Sequence, residues 1–587
     1  MEPLLLLVLL FGAVLAMVAL KPGGAPPKWP PSAGGGVDCG KARQLYTKST
    51  DKLFNASRRV TNHVPDSVYE VFPDETSEIV DLFAYINTIN GRIWAKHSFG
   101  VLFHPGVYTF NNVELAIPSN VGVLGLGHAP QDTLLKNCIV TITGHAVEPV
   151  TNIFWRSLEN LSVESHSETN SHSVMWFTSQ ACPLRRVVTN GDVGLDHGKK
   201  QWSSGGFMAD CCVGGRLRAY TQQQFCFRSV HANGRDVAPG NYLVYVDSPS
   251  IATSDCTHVD ASSADVLGKD GVLPTKPYLS VEGINVFSGT QLHTIPWSDI
   301  VVVTTDTKVS DINAATAILV TSGRYNLSGP IKLTRPGTVL LGVGWPLLRA
   351  GSSTEPIVQV AAAGVTVAGL LVEAGTGNPD TLVQVSGDGA QLFDVFVRML
   401  TLTSGTSRAK TMMSISASNV YLENSWIWRA DHQQIQYEGI GVNWAKEDNP
   451  IGLEVTGENV VALGLAVEHQ SSVLVRWTGR GGRCFFFQAE FPYEFQQDGS
   501  PAYLTTDPGH VLRGAGIYYV VNRGDFHNLC AVDAPPTATI QAIGKNWDGM
   551  GGITHTRCYK GVPVDNTPVH PNFNGACAIG PGCAACS

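Results

Sequence analysis

Three polar clusters interrupt strand-forming runs between Tyr421 and Tyr493. They are Trp426-Ile427-Trp428-Arg429-Ala430-Asp431-His432, Val467-Glu468-His469 and Gln488-Ala489-Glu490-Phe491-Pro492-Tyr493. A charge set among apolar residues is expensive to desolvate unless it is paired. A carboxyl in such surroundings keeps its proton to higher pH, the state required to protonate a leaving glycosidic oxygen. Glu490, between Cys484-Phe485-Phe486-Phe487 and Phe491, is the better candidate for that acid. Glu468, beside His469, is expected to be ionised and to orient the sugar or the acid. Asp431 and His432 are candidates for binding hydroxyls, and Trp426, Trp428 and Tyr493 for stacking on sugar rings. Each residue also has a plain structural reading. Glu490 can be a solvated turn residue, and Glu468 can pair with Arg429 or Arg476. Asp431-His432 can be a hydrogen-bonded corner, and the two tryptophans, spaced by two on one strand face, can pack in a core.

These residues sit in a chain of 587 residues, longer than one compact core normally organises. Only 15% of residues are charged and 61 are glycine, a balance that suits many short strands and tight turns. The net charge of −9 and the lack of any Lys/Arg cluster give no sign of nucleic-acid binding. Residues 1–20 form an apolar run expected to be a signal peptide, or an anchor if uncleaved, and residues 21–38 a Pro/Gly-rich linker. The rest of the chain is then secreted, touching a membrane only through an uncleaved N-terminal segment, and is expected to be a monomer. Thirteen cysteines agree with an oxidising compartment. Disulfides are favoured over a metal site with His555 or His570, and no metal or organic cofactor is implied. Asn55, Asn160 and Asn326 each begin a glycosylation sequon.

An internal duplication indicates the architecture. Leu102-Phe-His-Pro-Gly106-Val-Tyr108 is echoed by Leu319-Val-Thr-Ser-Gly323-Arg-Tyr325, and Gly125-Leu-Gly127 by Gly342-Val-Gly344. The matched positions share one offset. Short strands separated by Gly, Asn, Asp and Ser turns follow each copy, which predicts stacked coils rather than alternating helices. The expected fold is all-β: two tandem parallel β-helices, residues 39–299 and 300–540, followed by a Cys-rich tail at 541–587. The clearest helical periods, Asp74 to Ile89 and Val309 to Ala317, are expected to close one end of each solenoid, the first capped by Asp74 or Thr76.

At this point the motifs resemble glycoside hydrolase family 55, β-1,3-glucanases built from two right-handed, pectate-lyase-like β-helices packed side by side. Trp426-Ile-Trp428-x-Ala-Asp431-His432 resembles the family's W-I-W-T-A-D-H, Glu468-His469 its S-E-H, and Glu490-Phe-Pro492-Tyr493 its T-E-T-P-Y. Ser204-Gly205-Gly206-Phe207 resembles G-S-G-G-F, and Gln223-Gln224-Phe225 resembles Q-Q-F, which adds both glutamines to the substrate-binding set. The resemblance implies inverting, exo-type hydrolysis of a β-1,3-glucan in a cleft between the helices. It places the proton donor on Glu490 and the water-holding groups on Ser204 and Gln180. Phe177 stands where the family has a second glutamine, and Arg429 where it favours threonine. The alternatives are a β-helical lyase or hydrolase for another polysaccharide, and a non-catalytic carbohydrate-binding cell-wall protein.

Overall fold

A computed structural model describes residues 39–564 apart from 41–52, 54–56, 60–62, 91–96, 143–149, 166–171, 196–202, 221, 238–241, 253–257, 270, 352, 376, 400–406, 431–446, 493–498, 520–527 and 547–552. The expected signal segment and most of the Cys-rich tail therefore lie outside the described residues, as do Asp431, His432 and Tyr493.

Strands such as Phe99–Phe103 (FGVLF) and Val461–Glu468 (VALGLAVE) are buried along their whole length. Continuous apolar runs of this kind fit strands covered on both faces, the usual condition of a parallel sheet. Strands between Ser57 and Ala261 form one 16-stranded sheet. From Val301 onward, successive coils feed a 12-stranded and a 10-stranded sheet in strictly parallel register, until the final antiparallel pair Ile553–Tyr559 and Val562–Pro563. Each solenoid has its own apolar core, running from Tyr69 to Ile251 in the first and from Val303 to Ile553 in the second. The chain is thus two parallel β-helices, joined by a small antiparallel sheet of Tyr278–Ser280, Gly283–Ser288 and Gln291–Pro296. The ladder of the second solenoid continues past residue 540 through Thr539–Asn546 and Ile553–Tyr559.

The duplication has a physical counterpart. The Tyr108 hydroxyl donates to the carbonyls of His104 and Val71, and the Tyr325 hydroxyl to those of Thr321 and Val303. The helices also occur as paired elements, Thr76–Asn90 and Val309–Ala314, the second shorter than expected because Ala317 opens a strand. At the start of the first, the Glu75 carbonyl accepts from the Ile79 N–H and its carboxylate from the Phe72 N–H.

The two solenoids meet through their outward sheet faces. Phe207 and Val244 of the first pack with Phe393, Leu463 and Phe485 of the second in one buried cluster. Contact is close: a side chain on Gly344, whose φ is +71°, would place Cβ 2.4 Å from the Gly100 backbone nitrogen. Beside this apolar contact runs a buried ionic network. Arg185 donates to both Asp394 oxygens at 2.9 and 2.7 Å and to Glu423 at 2.5 Å, and Lys276 bridges Glu159 and Asp394 at 2.8 Å. Arg228 joins Asp210 at 2.6 Å to Glu423 at 3.3 Å.

Two disulfides are formed among the described residues. Cys39–Cys212 ties the start of the described chain to strand Ser203–Val213, and Cys530–Cys558 closes the last coil. Of the sequons, Asn326 is exposed, but Asn160 is sealed in a corner, donating to the carbonyls of Gly125 and Gly127. Asn160 is therefore unavailable to a glycan in the folded protein.

Candidate active site

Strands Tyr421–Arg429, Val461–Glu468, Arg483–Glu490 and Val511–Tyr519 are neighbours in the 12-stranded sheet. Their register aligns Trp428, Glu468, Glu490 and Tyr518 in one row across four coils. Neighbouring strands lie about 4.8 Å apart, so the two glutamates are held side by side by backbone geometry alone. Residues of the first solenoid face this row. Gln180 precedes strand Leu184–Thr189, and Ser204 lies near the start of Ser203–Val213.

The Gln180 side-chain amide donates to Glu468 Oε1 at 2.8 Å and to Gln488 Oε1 at 3.0 Å. It reaches them because position 205 is glycine: at φ +84°, a Cβ there would lie 2.5 Å from Gln180 Cγ. The other Glu468 oxygen accepts from the Trp426 indole N–H at 2.8 Å. Glu468 is only 3% exposed. Burial, then the adjacent Glu490 charge, push its carboxyl up to about 8, against the opposing pull of His469, Gln488 and Trp426.

Glu490 is the more open of the pair, with 22% of its side chain exposed. His469 Nε2 lies 3.4 Å from Glu490 Oε2, and the His469 backbone N–H donates to the Glu490 carbonyl. Tyr518, on the next rung, is buried, and its phenol is raised above its ordinary range by burial and by Glu490 while the Ser204 hydroxyl opposes the shift. Tyr518 therefore stands in register with Glu490, and Gln180, Glu468 and Gln488 form a hydrogen-bonded group across the two solenoids.

Several expectations are corrected. The phenylalanines beside Glu490 in sequence do not surround it in space. Phe486 has φ +64° and breaks the strand alternation, so Phe485 joins the contact between solenoids while Phe487 and Phe491 point into the solenoid core. Glu468, expected to be ionised, is instead held protonated to higher pH, because it lies under the protein. Glu468 also has neither proposed arginine partner. Arg429 donates to the His469 carbonyl and Arg476 pairs with Glu454. Trp428 is fully buried, stacked on Trp426 with ring centroids 4.4 Å apart in a cluster with Phe154 and Trp155, so it has no face to offer a sugar.

Gln224 is likewise fully buried, and its amide donates to the carbonyls of Phe487 and, at 3.3 Å, Gly514, fastening one solenoid to the other. Gln223 is 6% exposed within strand Gln222–Ala232. Phe177 packs in the core of the first solenoid. Tyr518 was not singled out from sequence. It lies 28 positions after its register partner Glu490, so reading along the coil repeat rather than along the strand finds it.

The LAM55 pectate lyase-like domain model matches residues 300–490. An exo-beta-1,3-glucanase of Streptomyces sp. (strain SirexAA-E / ActE) is 31% identical over 426 residues, covering 68% of this chain and 67% of that protein. The solved structure of sacteLam55A from Streptomyces sp. SirexAA-E superposes with a TM-score of 0.73 at 27% identity, over 84% of this chain and 94% of the other. A glutamate-to-alanine variant of that protein in complex with glucose superposes with a TM-score of 0.71 at 26% identity over the same shares.

Proposed function

The chain belongs to glycoside hydrolase family 55, the double-β-helix β-1,3-glucanases, and from that premise we propose that it hydrolyses β-1,3-glucan from a chain end with inversion at the anomeric carbon. The observation that carries this reading is the pair Glu468–Glu490 on adjacent rungs, with Gln180 reaching Glu468 from the other solenoid. Glu490, exposed at the rim and touched by His469, delivers a proton to the leaving glycosidic oxygen as the C–O bond breaks. A water held near Ser204 attacks the opposite face of the sugar. Its proton leaves toward the Gln180–Glu468 group.

Two carboxyls on adjacent rungs share one proton, which is what inversion requires of them: one filled donor and one empty acceptor. In the free protein Glu468 keeps that proton at neutral pH. Transfer of the proton between neighbours as the glycosidic oxygen approaches Glu490 arms the donor and frees Glu468 to accept.

A second reading comes from the same spacing. Retaining enzymes hold their carboxyls about 5–5.5 Å apart, against roughly 6.5–9.5 Å for inverting ones, and adjacent rungs favour the shorter distance. Glu468 is a poor nucleophile, however, because both its oxygens accept hydrogen bonds beneath the surface. Proton NMR of laminarin hydrolysis separates the two. Inversion yields the α-anomer first, and initial β-anomer would establish retention. Export follows the same reading. The apolar segment at 1–20 directs the chain to the secretory route, where Cys39–Cys212 and Cys530–Cys558 form. Mass spectrometry of secreted protein reads whether that segment is removed.

A further inference from the structure

The strands that carry the glutamates at their C-terminal ends border a separate cavity at their N-terminal ends. It measures about 400 Å³ and is lined by Gln391, Tyr421, Val461 and Arg483, the register-paired openings of four neighbouring strands. Arg483 and Glu490 bound the same strand seven residues apart, about 23 Å at the usual rise. The cavity is thus remote from the row of glutamates.

Its floor is the corner where each coil turns. Gly389, Asn419, Asn459 and Gly481 occupy that corner in four successive coils, all with positive φ between 55° and 68°. Four rungs span about 14 Å, so the floor is an elongated trough. Asn419 and Asn459 are exposed, with their amides 3.4 Å apart, and nothing stands within 4 Å of the space above Gly389. The far wall is supplied by Leu267 and Pro274 from the connection between solenoids. The lining therefore combines three side-chain amides, one guanidinium and an apolar wall, without a carboxylate.

Amides both donate and accept, matching hydroxyls that do the same, and the apolar wall suits the C–H faces of sugar rings. Resting on the reading of the substrate as a β-1,3-glucan, we propose that this trough is a second, non-catalytic binding site for a neutral glucan chain. It holds polymer at the enzyme surface, while short oligosaccharides need only the cleft.

The test uses the full chain with Asn419→Gly, Asn459→Gly and Gln391→Ala together. Glycine keeps the left-handed corner while deleting the amides, and Q391A alone serves if the triple variant fails to fold. Retardation in native gels containing laminarin is measured in a Glu490→Gln background, and laminaritriose hydrolysis in the active enzyme. The proposal expects retardation to weaken fivefold or more while laminaritriose kinetics stay unchanged. Unchanged retardation overturns it. Retardation by polygalacturonate that the substitutions abolish, with laminarin unaffected, overturns it in favour of an acidic glycan. Failure of the unsubstituted enzyme to cleave laminaritriose would instead sink the glucanase reading, and the gels would still decide the trough.

Discussion

Gln180 and Glu468 lie 288 positions apart in the chain, yet the glutamine amide meets the carboxyl at 2.8 Å. This contact makes the state of one solenoid's carboxyl depend on the docking of the other. It also fixes a sign for pH behaviour. The Glu468 carboxyl titrates near 4.5 when free and near 8 in the folded chain. The folded state therefore binds the extra proton, so stability is fully present below pH 4.5 and is lost as pH rises through about 8. Thermal melts at pH 5 and pH 8.5 should show the native protein weaker at the higher pH. Glu468→Gln should flatten that difference and reduce kcat by about 100-fold or more, the range for loss of acid–base assistance. An unchanged pH slope would remove Glu468 as the titrating group.

Tyr518 is linked to Glu490 by strand register and by the effect of the Glu490 charge on its buried phenol. Tyr518→Phe deletes the hydroxyl and little else, so it isolates that link. The expected result is a fall in kcat of about tenfold, equivalent to one hydrogen bond of about 1.4 kcal/mol, with KM nearly constant and the pH profile displaced. A change confined to thermal stability would make Tyr518 a packing residue.

What the sequence conveyed, and what it hid, follows from the distance between partners. The offset shared by Gly106/Gly323 and Tyr108/Tyr325 announced two copies of one coil design, because backbone turns are set by nearby residues. Glu468 and Glu490 stood out because each ends an apolar strand. Their proton did not, since burial and neighbouring charge are decided by adjacent coils, and Phe487, three positions before Glu490 in sequence, faces the solenoid core. Trp428 gave the same false lead: its spacing from Trp426 reads equally as a binding face or a core face, and docking against Phe154 selects the core. The ionic network was silent in sequence because Arg185 finds Asp394 and Glu423 more than 200 positions away.

Gln224 separates a resemblance from a role. Its amide donates to backbone carbonyls of Phe487 and Gly514 while fully buried. Gln224→Ala should then destabilise the fold by about 1–3 kcal/mol through unsatisfied carbonyls, leaving laminaritriose kcat/KM within about twofold at a temperature where the variant is folded. A large rise in KM without loss of stability would restore it to the substrate-binding set.

The buried network supplies the opposite limb of the pH profile. Arg185 and Lys276 hold the Asp394 carboxyl down to about 2 from 3.8, the attraction of the two cations outweighing its burial. A depressed carboxyl contributes stability that is present above pH 3.8 and lost as pH falls through about 2, so acid should open the contact between solenoids in that window. Arg185→Met removes the cation shared by Asp394 and Glu423 and leaves two carboxylates short of charge in the interior. Breaking a buried pair from one side costs about 3–5 kcal/mol, and the loss should appear in urea unfolding at pH 7. Replacing Arg185, Asp394 and Glu423 together by apolar residues of similar volume should recover much of it, because no buried charge in that trio is then left unpaired. If Arg185→Met melts like the native protein at pH 7, the network is not what joins the solenoids, and the apolar contact of Phe207 with Phe393 and Leu463 carries the docking alone.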